Sequence, residues 1–97
     1  MMADMTGVQK AIFEECLAIA DMLLDKNRKY GNSALEPQRV FSQASPEEQI
    51  LVRIDDKLSR IKNGATDEDA VKDLIGYLVL LRVQRRLSTG PGAIHAP

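Results

Sequence analysis

Between Leu74 and Val83 the chain reads LIGYLVLLRV, and only Gly76 and Arg82 interrupt large apolar side chains. This stretch constrains the fold more than any other. A helix apolar nearly all round needs covering on several sides. A chain of 97 residues has room for one domain. Three helices in one small domain offer such a helix too few neighbours. The expectation is an all-α protein of three main helices that oligomerises, as a dimer or higher, into a helical bundle. Leu78 to Leu81 is the longest unbroken run of large aliphatic side chains, far short of the ~20 residues that span a bilayer.

The remaining pattern supplies two further helices. Val8, Ile12, Cys16, Ile19 and Leu23 recur at spacings of three and four, which predicts a first helix from about Thr6 to about Lys29. Thr6 suits its N-cap. Gly31 suits its end, because glycine adopts the left-handed conformation that stops many helices. In SPEE, Ser45 takes the N-cap position, Pro46 the first turn, and Glu48 the place that closes a capping box. Leu51, Ile54, Leu58 and Ile61, supported by Ile50, then form the apolar seam of a second helix that stops at Asn63-Gly64. The third helix is expected from Thr66, with Asp67, Glu68 and Asp69 at the positive end of its dipole. Residues 32 to 45 connect the first two helices, and Leu35, Val40 and Phe41 give that connection apolar side chains to pack down. The organisation read from this pattern is a flexible N-terminus over 1–5, one helical domain over 6–87 and a disordered tail over 88–97.

Composition excludes several function classes. The formal charge of −1 supplies no global field for nucleic acid or an acidic membrane, so neither is an expected partner. Cys16 is the single cysteine, so no internal disulfide or cysteine-based metal site is possible. Its place among apolar residues reads as a small core position. No basic segment followed by an apolar one opens the chain, and a cytoplasmic protein is expected. His95, the one histidine, lies in the tail among glycines and prolines, a poor place for catalysis.

Two charged strips stand out. Arg53, Asp56, Lys57 and Arg60 share the polar face of the second helix. They form either a solvated face, with Asp56 and Arg60 as an i,i+4 pair, or a positive strip whose arginine forks hold a phosphate. In the third helix Asp69 and Asp73 are also i,i+4. Asp73 directly precedes the apolar stretch, so its carboxylate needs a partner. That partner is a basic side chain of the second helix or a divalent cation such as Mg²⁺, which takes one or two carboxylates plus water and substrate phosphates. Glu14 and Glu15 add carboxylates on the first helix, Glu15 nearer the core edge. Gly76 costs its helix about 1 kcal/mol relative to alanine, and close approach of another helix is the simplest reason for it.

Taken in order, KNRKYGNS, RIDDKLSRIKNG and DEDAVKDLIGYLVLL resemble the small helical phage and prophage proteins called nucleotide-modification-associated domains. The resemblance covers roughly residues 10 to 83. That family is in turn similar to the all-α nucleoside triphosphate pyrophosphohydrolases (the MazG-like group), which bind Mg²⁺ through acidic side chains of facing helices. The resemblance implies metal-ligand roles for Glu15, Asp69 and Asp73. It also places Tyr30 and Asn32 beside the charged faces of the other helices. This chain departs from the pyrophosphohydrolase pattern at Ala18, three residues after Glu15, and at Ala70, three before Asp73. Lys29 stands where the smaller family usually has an acid. Nucleotide binding survives these departures more readily than hydrolysis.

Two functions follow. In the first, the chain is a phage-type helical oligomer that binds a nucleotide or nucleotide-derived molecule and is related to Mg²⁺-dependent pyrophosphohydrolases. Arg53, Lys57 and Arg60 hold phosphates, and Tyr30 and Asn32 contact the base or sugar. In the second, it is a small interaction or self-association protein without a ligand.

Overall fold

Each helix begins where a side chain satisfies the amide groups its first turn leaves open. In the computed structural model, which describes residues 4–36, 43–64 and 69–89, these caps delimit α1 (Gly7–Tyr30), α2 (Pro46–Lys62) and α3 (Ala70–Ser88). No strand occurs among the described residues. Thr6 Oγ1 accepts from the Gln9 N–H at 3.1 Å while Gln9 Oε1 accepts from the Thr6 N–H at 3.0 Å, a reciprocal capping box. Ser45 Oγ accepts from the Glu48 N–H at 3.1 Å ahead of Pro46. Asp69 accepts from the Lys72 N–H at 2.9 Å.

That last cap corrects one expectation. Asp69 is not a helical position but the residue that opens α3, because its short carboxylate reaches the amide three residues on. The expected start at Thr66 falls outside the described residues. At the other end α3 runs to Ser88, with Thr89 as its C-cap, one residue past the expected edge of the domain. The tail beyond Thr89, residues 1–3, and Val40 and Phe41 also lie outside the described residues.

α2 and α3 form an antiparallel hairpin. Glu47, at the start of α2, accepts from Arg85 Nε near the end of α3 at 2.7 Å, and Lys57, late in α2, meets Asp73, early in α3. Between these two ties Ile50, only 2% exposed, packs with Ile54, Leu81 and Leu35. Leu74, Tyr77, Leu80, Val83 and Leu87 close around them. The covered face of α2 is therefore centred on Ile50 and Ile54. The expected seam is only half used, since Leu51, Leu58 and Ile61 remain exposed on its flank. Leu35 is buried in this core, so the described start of the connection, up to Glu36, packs down on the hairpin.

α1 touches the hairpin through its C-terminal half. Gly76 is the close approach: a methyl group in its place would come within 2.9 Å of Met22 Cε and 3.3 Å of Leu23 Cδ2. The N-terminal half of α1 runs past the hairpin, and Val8, Ile12, Phe13 and Leu17 are exposed. Cys16 is exposed as well. This corrects the core position read from its sequence neighbours, because among the described residues no other element packs over the helical face that carries it. α3 likewise leaves Val71, Ile75, Leu78 and Val79 exposed on the side away from α1 and α2.

Candidate functional site

The end of α1 shapes a cleft. Gly31 stops the helix, and its N–H donates to the Asn27 carbonyl at 2.8 Å. Its backbone lies at φ 62 and ψ −146, outside the left-handed helical region and in one that is essentially glycine-only. The chain then folds back sharply. The Asn32 carbonyl accepts from both the Leu35 and the Glu36 N–H, at 2.9 and 2.7 Å. Asn27 Nδ2 braces the bend from inside, donating to Asn32 Oδ1 at 2.9 Å and to the Gly31 carbonyl at 3.2 Å. Leu35 pins the far side of the bend into the core.

The space between this bend and α3 is a cleft of about 380 Å³. Lys26, Tyr30, Asn32 and Ser33 line one wall, and Asp73 and Tyr77 line the other, with Gly76 at the base beside Met22 and Leu23. The size suits a small molecule. Tyr30 is 68% exposed, so its ring is open to stack on a planar group. Lys29 turns away from the cleft: the Asp25 carboxylate accepts its ammonium at 3.0 Å, and this hydrogen bond, with the accompanying charge attraction, raises the lysine pKa.

The residues singled out in the sequence are distributed as follows. Tyr30, Asn32 and Asp73 come together on the cleft. Lys57 reaches it indirectly, with Nζ 3.6 Å from Asp73 Oδ2. Arg53 and Arg60 do not line it. Relative to the buried Ile54 they lie about 100° and 120° around α2, on the exposed side, and Arg60 Nε donates to Asp56 Oδ2 at 3.1 Å. Asp69 caps α3, and Glu15 lies on the exposed half of α1. Ala70 is buried.

Those positions bear on Mg²⁺. Asp69 already accepts a backbone amide, Asp73 faces an ammonium, and Glu15 belongs to a different part of α1 from the cleft. Among the described residues no three His, Cys, Asp or Glu side chains converge to hold a metal ion. As placed among the described residues, these donors do not fit a resident Mg²⁺.

Tyr77, Lys26 and Asn27 are among the cleft residues that the sequence reasoning did not single out. Tyr77 follows Asp73 by four positions, so helical spacing alone puts both on one face. Lys26 precedes Tyr30 by four on α1 and is legible in the same way. Asn27 has no such signal, because its role depends on the bend that brings Asn32 back to it.

No helix among the described residues is long and apolar enough to cross a membrane. Comparison with protein-family models, with curated proteins and with solved structures returns no match for this chain.

Proposed function

We propose that the protein binds a nucleotide or nucleotide-derived small molecule in the cleft between the end of α1 and α3, and that it works as a homo-oligomer. One observation carries the ligand reading. Tyr30 and Asn32 from the first motif and Asp73 from the third, far apart in sequence, line a single cleft whose walls also carry Lys26 and Tyr77. The tyrosine rings suit a base, the Asn32 amide and Asp73 carboxylate suit hydrogen bonds to base or sugar, and Lys26 with Lys57 suits a phosphate. Lys26 takes over the place expected of Arg53 and Arg60. Isothermal titration with nucleoside mono-, di- and triphosphates, with and without Mg²⁺, tests the reading. Heat of binding that falls in Tyr30→Ala supports it, and no heat with any nucleotide overturns it. A coupled phosphate-release assay on the nucleotide that binds then separates a hydrolase from a binder.

A second reading, a self-associating interaction protein without a ligand, is favoured by a different observation. Apolar side chains stay exposed on all three helices, Val8 and Ile12 on α1 at 72% and 59%. Isolated exposed apolar residues are ordinary, but contiguous patches mark partners.

A further inference from the structure

We infer that the ligand of the cleft carries a single phosphate, as a nucleoside monophosphate does, and that the cleft gains nothing from a triphosphate. The inference rests on the nucleotide reading above and names its ligand class. Charge decides it. Among the described residues that line the cleft, Lys26 is the one cation and Asp73 the one anion, so the walls carry no net charge. Lys57 is already engaged, with its ammonium 3.6 Å from the Asp73 carboxylate and both side chains mostly covered. The neighbouring cations are occupied elsewhere: Lys29 meets Asp25 at 3.0 Å, and Arg60 meets Asp56 at 3.1 Å. A terminal phosphate brings about −1.5 to −2 at neutral pH. Lys26 answers one such group. Further phosphates stand against the Asp73 carboxylate or in open water, and like charges in a partly covered site repel more strongly than in bulk water.

Spacing places the parts of such a ligand. Lys26 and Tyr30 are i and i+4 on α1, on one face of the helix and ~6 Å apart along its axis, and both line the cleft. That span resembles the reach from a base across its sugar to one phosphate. A base stacked on the Tyr30 ring therefore sets its phosphate near Lys26. Asp73 on the opposite wall then has the sugar hydroxyls to accept from, which bring it no charge conflict. Size agrees: about 380 Å³ lies near the lower end of the ~300–1,000 Å³ usual for small-molecule sites.

Isothermal titration of the full chain with the common ribo- and deoxyribonucleosides, their monophosphates and their triphosphates, at fixed low salt and without Mg²⁺, tests the inference. The expected order has the monophosphate about two- to fivefold tighter than its nucleoside, the yield of one exposed ion pair, and at least as tight as the triphosphate. Lys26 is exposed, so Lys26→Gln leaves the fold intact. It should bring the monophosphate down to the nucleoside's affinity and leave the nucleoside unchanged. Asp73→Asn should raise the triphosphate's affinity relative to the monophosphate's, and an unchanged ratio overturns the charge argument. Should Asp73→Asn fail to fold, Lys26→Gln decides. A triphosphate bound more tightly than the monophosphate by the wild-type chain, or a monophosphate advantage that survives Lys26→Gln, overturns the single-phosphate inference and leaves nucleotide binding standing. No heat with any of these compounds overturns the nucleotide reading itself.

Discussion

Lys57 of α2 holds its ammonium 3.6 Å from the Asp73 carboxylate of α3, and the two side chains are only 12% and 22% exposed. This contact ties the closed end of the hairpin to the wall of the cleft. A sequence with one acid at the edge of an apolar helix needs a countercharge there, and the antiparallel packing of α2 delivers it.

Lys57→Met leaves that carboxylate largely buried beside apolar side chains. The expected loss is about 1–3 kcal/mol of unfolding free energy, the cost of a buried polar group deprived of its partner. The double variant Lys57→Met, Asp73→Leu recovers most of it, because removing both charges also removes the need to desolvate them. By contrast Glu47→Ala, which breaks the exposed contact with Arg85, costs under about 1 kcal/mol. Urea denaturation of the four proteins measures all of this. A double variant no more stable than Lys57→Met alone would count against the coupling of Lys57 and Asp73.

Two glycines test different physics. Around Gly31 nothing lies within 4 Å of an added methyl group, so Gly31→Ala meets no steric obstacle and suffers only the backbone conformation. That places the loss at about 1–3 kcal/mol. At Gly76 the backbone is ordinary helix and the space is short. Alanine there gains about 1 kcal/mol of helix propensity and gives back a similar amount by displacing Met22 and Leu23, so its stability stays within about 1 kcal/mol of wild type. Gly76→Val exceeds what those side chains can yield and is clearly destabilising. Thermal melts rank the three, and Gly31→Ala more stable than wild type would contradict the positive φ.

Leu35 lies beyond the cleft bend yet belongs to the core of the α2–α3 hairpin. Leu35→Ala should cost about 2–4 kcal/mol, the range for truncating a buried leucine. It should also loosen the bend that carries Asn32. Hydrogen exchange at the Leu35 and Glu36 amides, both bonded to the Asn32 carbonyl, reports the second effect separately from global stability.

Tyr30 and Asn32 separate binding from folding. Tyr30 is exposed, so Tyr30→Ala leaves the melting temperature within a degree or two while lowering nucleotide affinity several-fold. That fits the ~1–3 kcal/mol attributed to stacking a base on an aromatic ring. Asn32→Ala loses the brace from Asn27 and lowers both, with a stability loss near 1 kcal/mol. If Tyr30→Ala binds nucleotide as tightly as wild type, the ring has no part in the site.

The sequence by itself determined the three helices and most of their ends. Thr6 and Ser45 cap through hydrogen bonds to amides three residues away, and Asn63-Gly64 stops α2, so local chemistry suffices for all three. The need for a countercharge at Asp73 and for a close approach at Gly76 was also legible, because each follows from one residue set against its own helix. Tertiary structure decided which surfaces those helices use. Periodicity gave α2 a broad apolar arc, but the position of α3 chose Ile50 and Ile54 over Leu51 and Leu58. Periodicity likewise made Cys16 a core residue, yet α1 overshoots the hairpin and leaves it exposed. The cleft exists only because the bend after Gly31 returns Asn32 and Leu35 toward α3. Helical spacing specifies faces along one axis, and which face finds a neighbour depends on how separate axes pack.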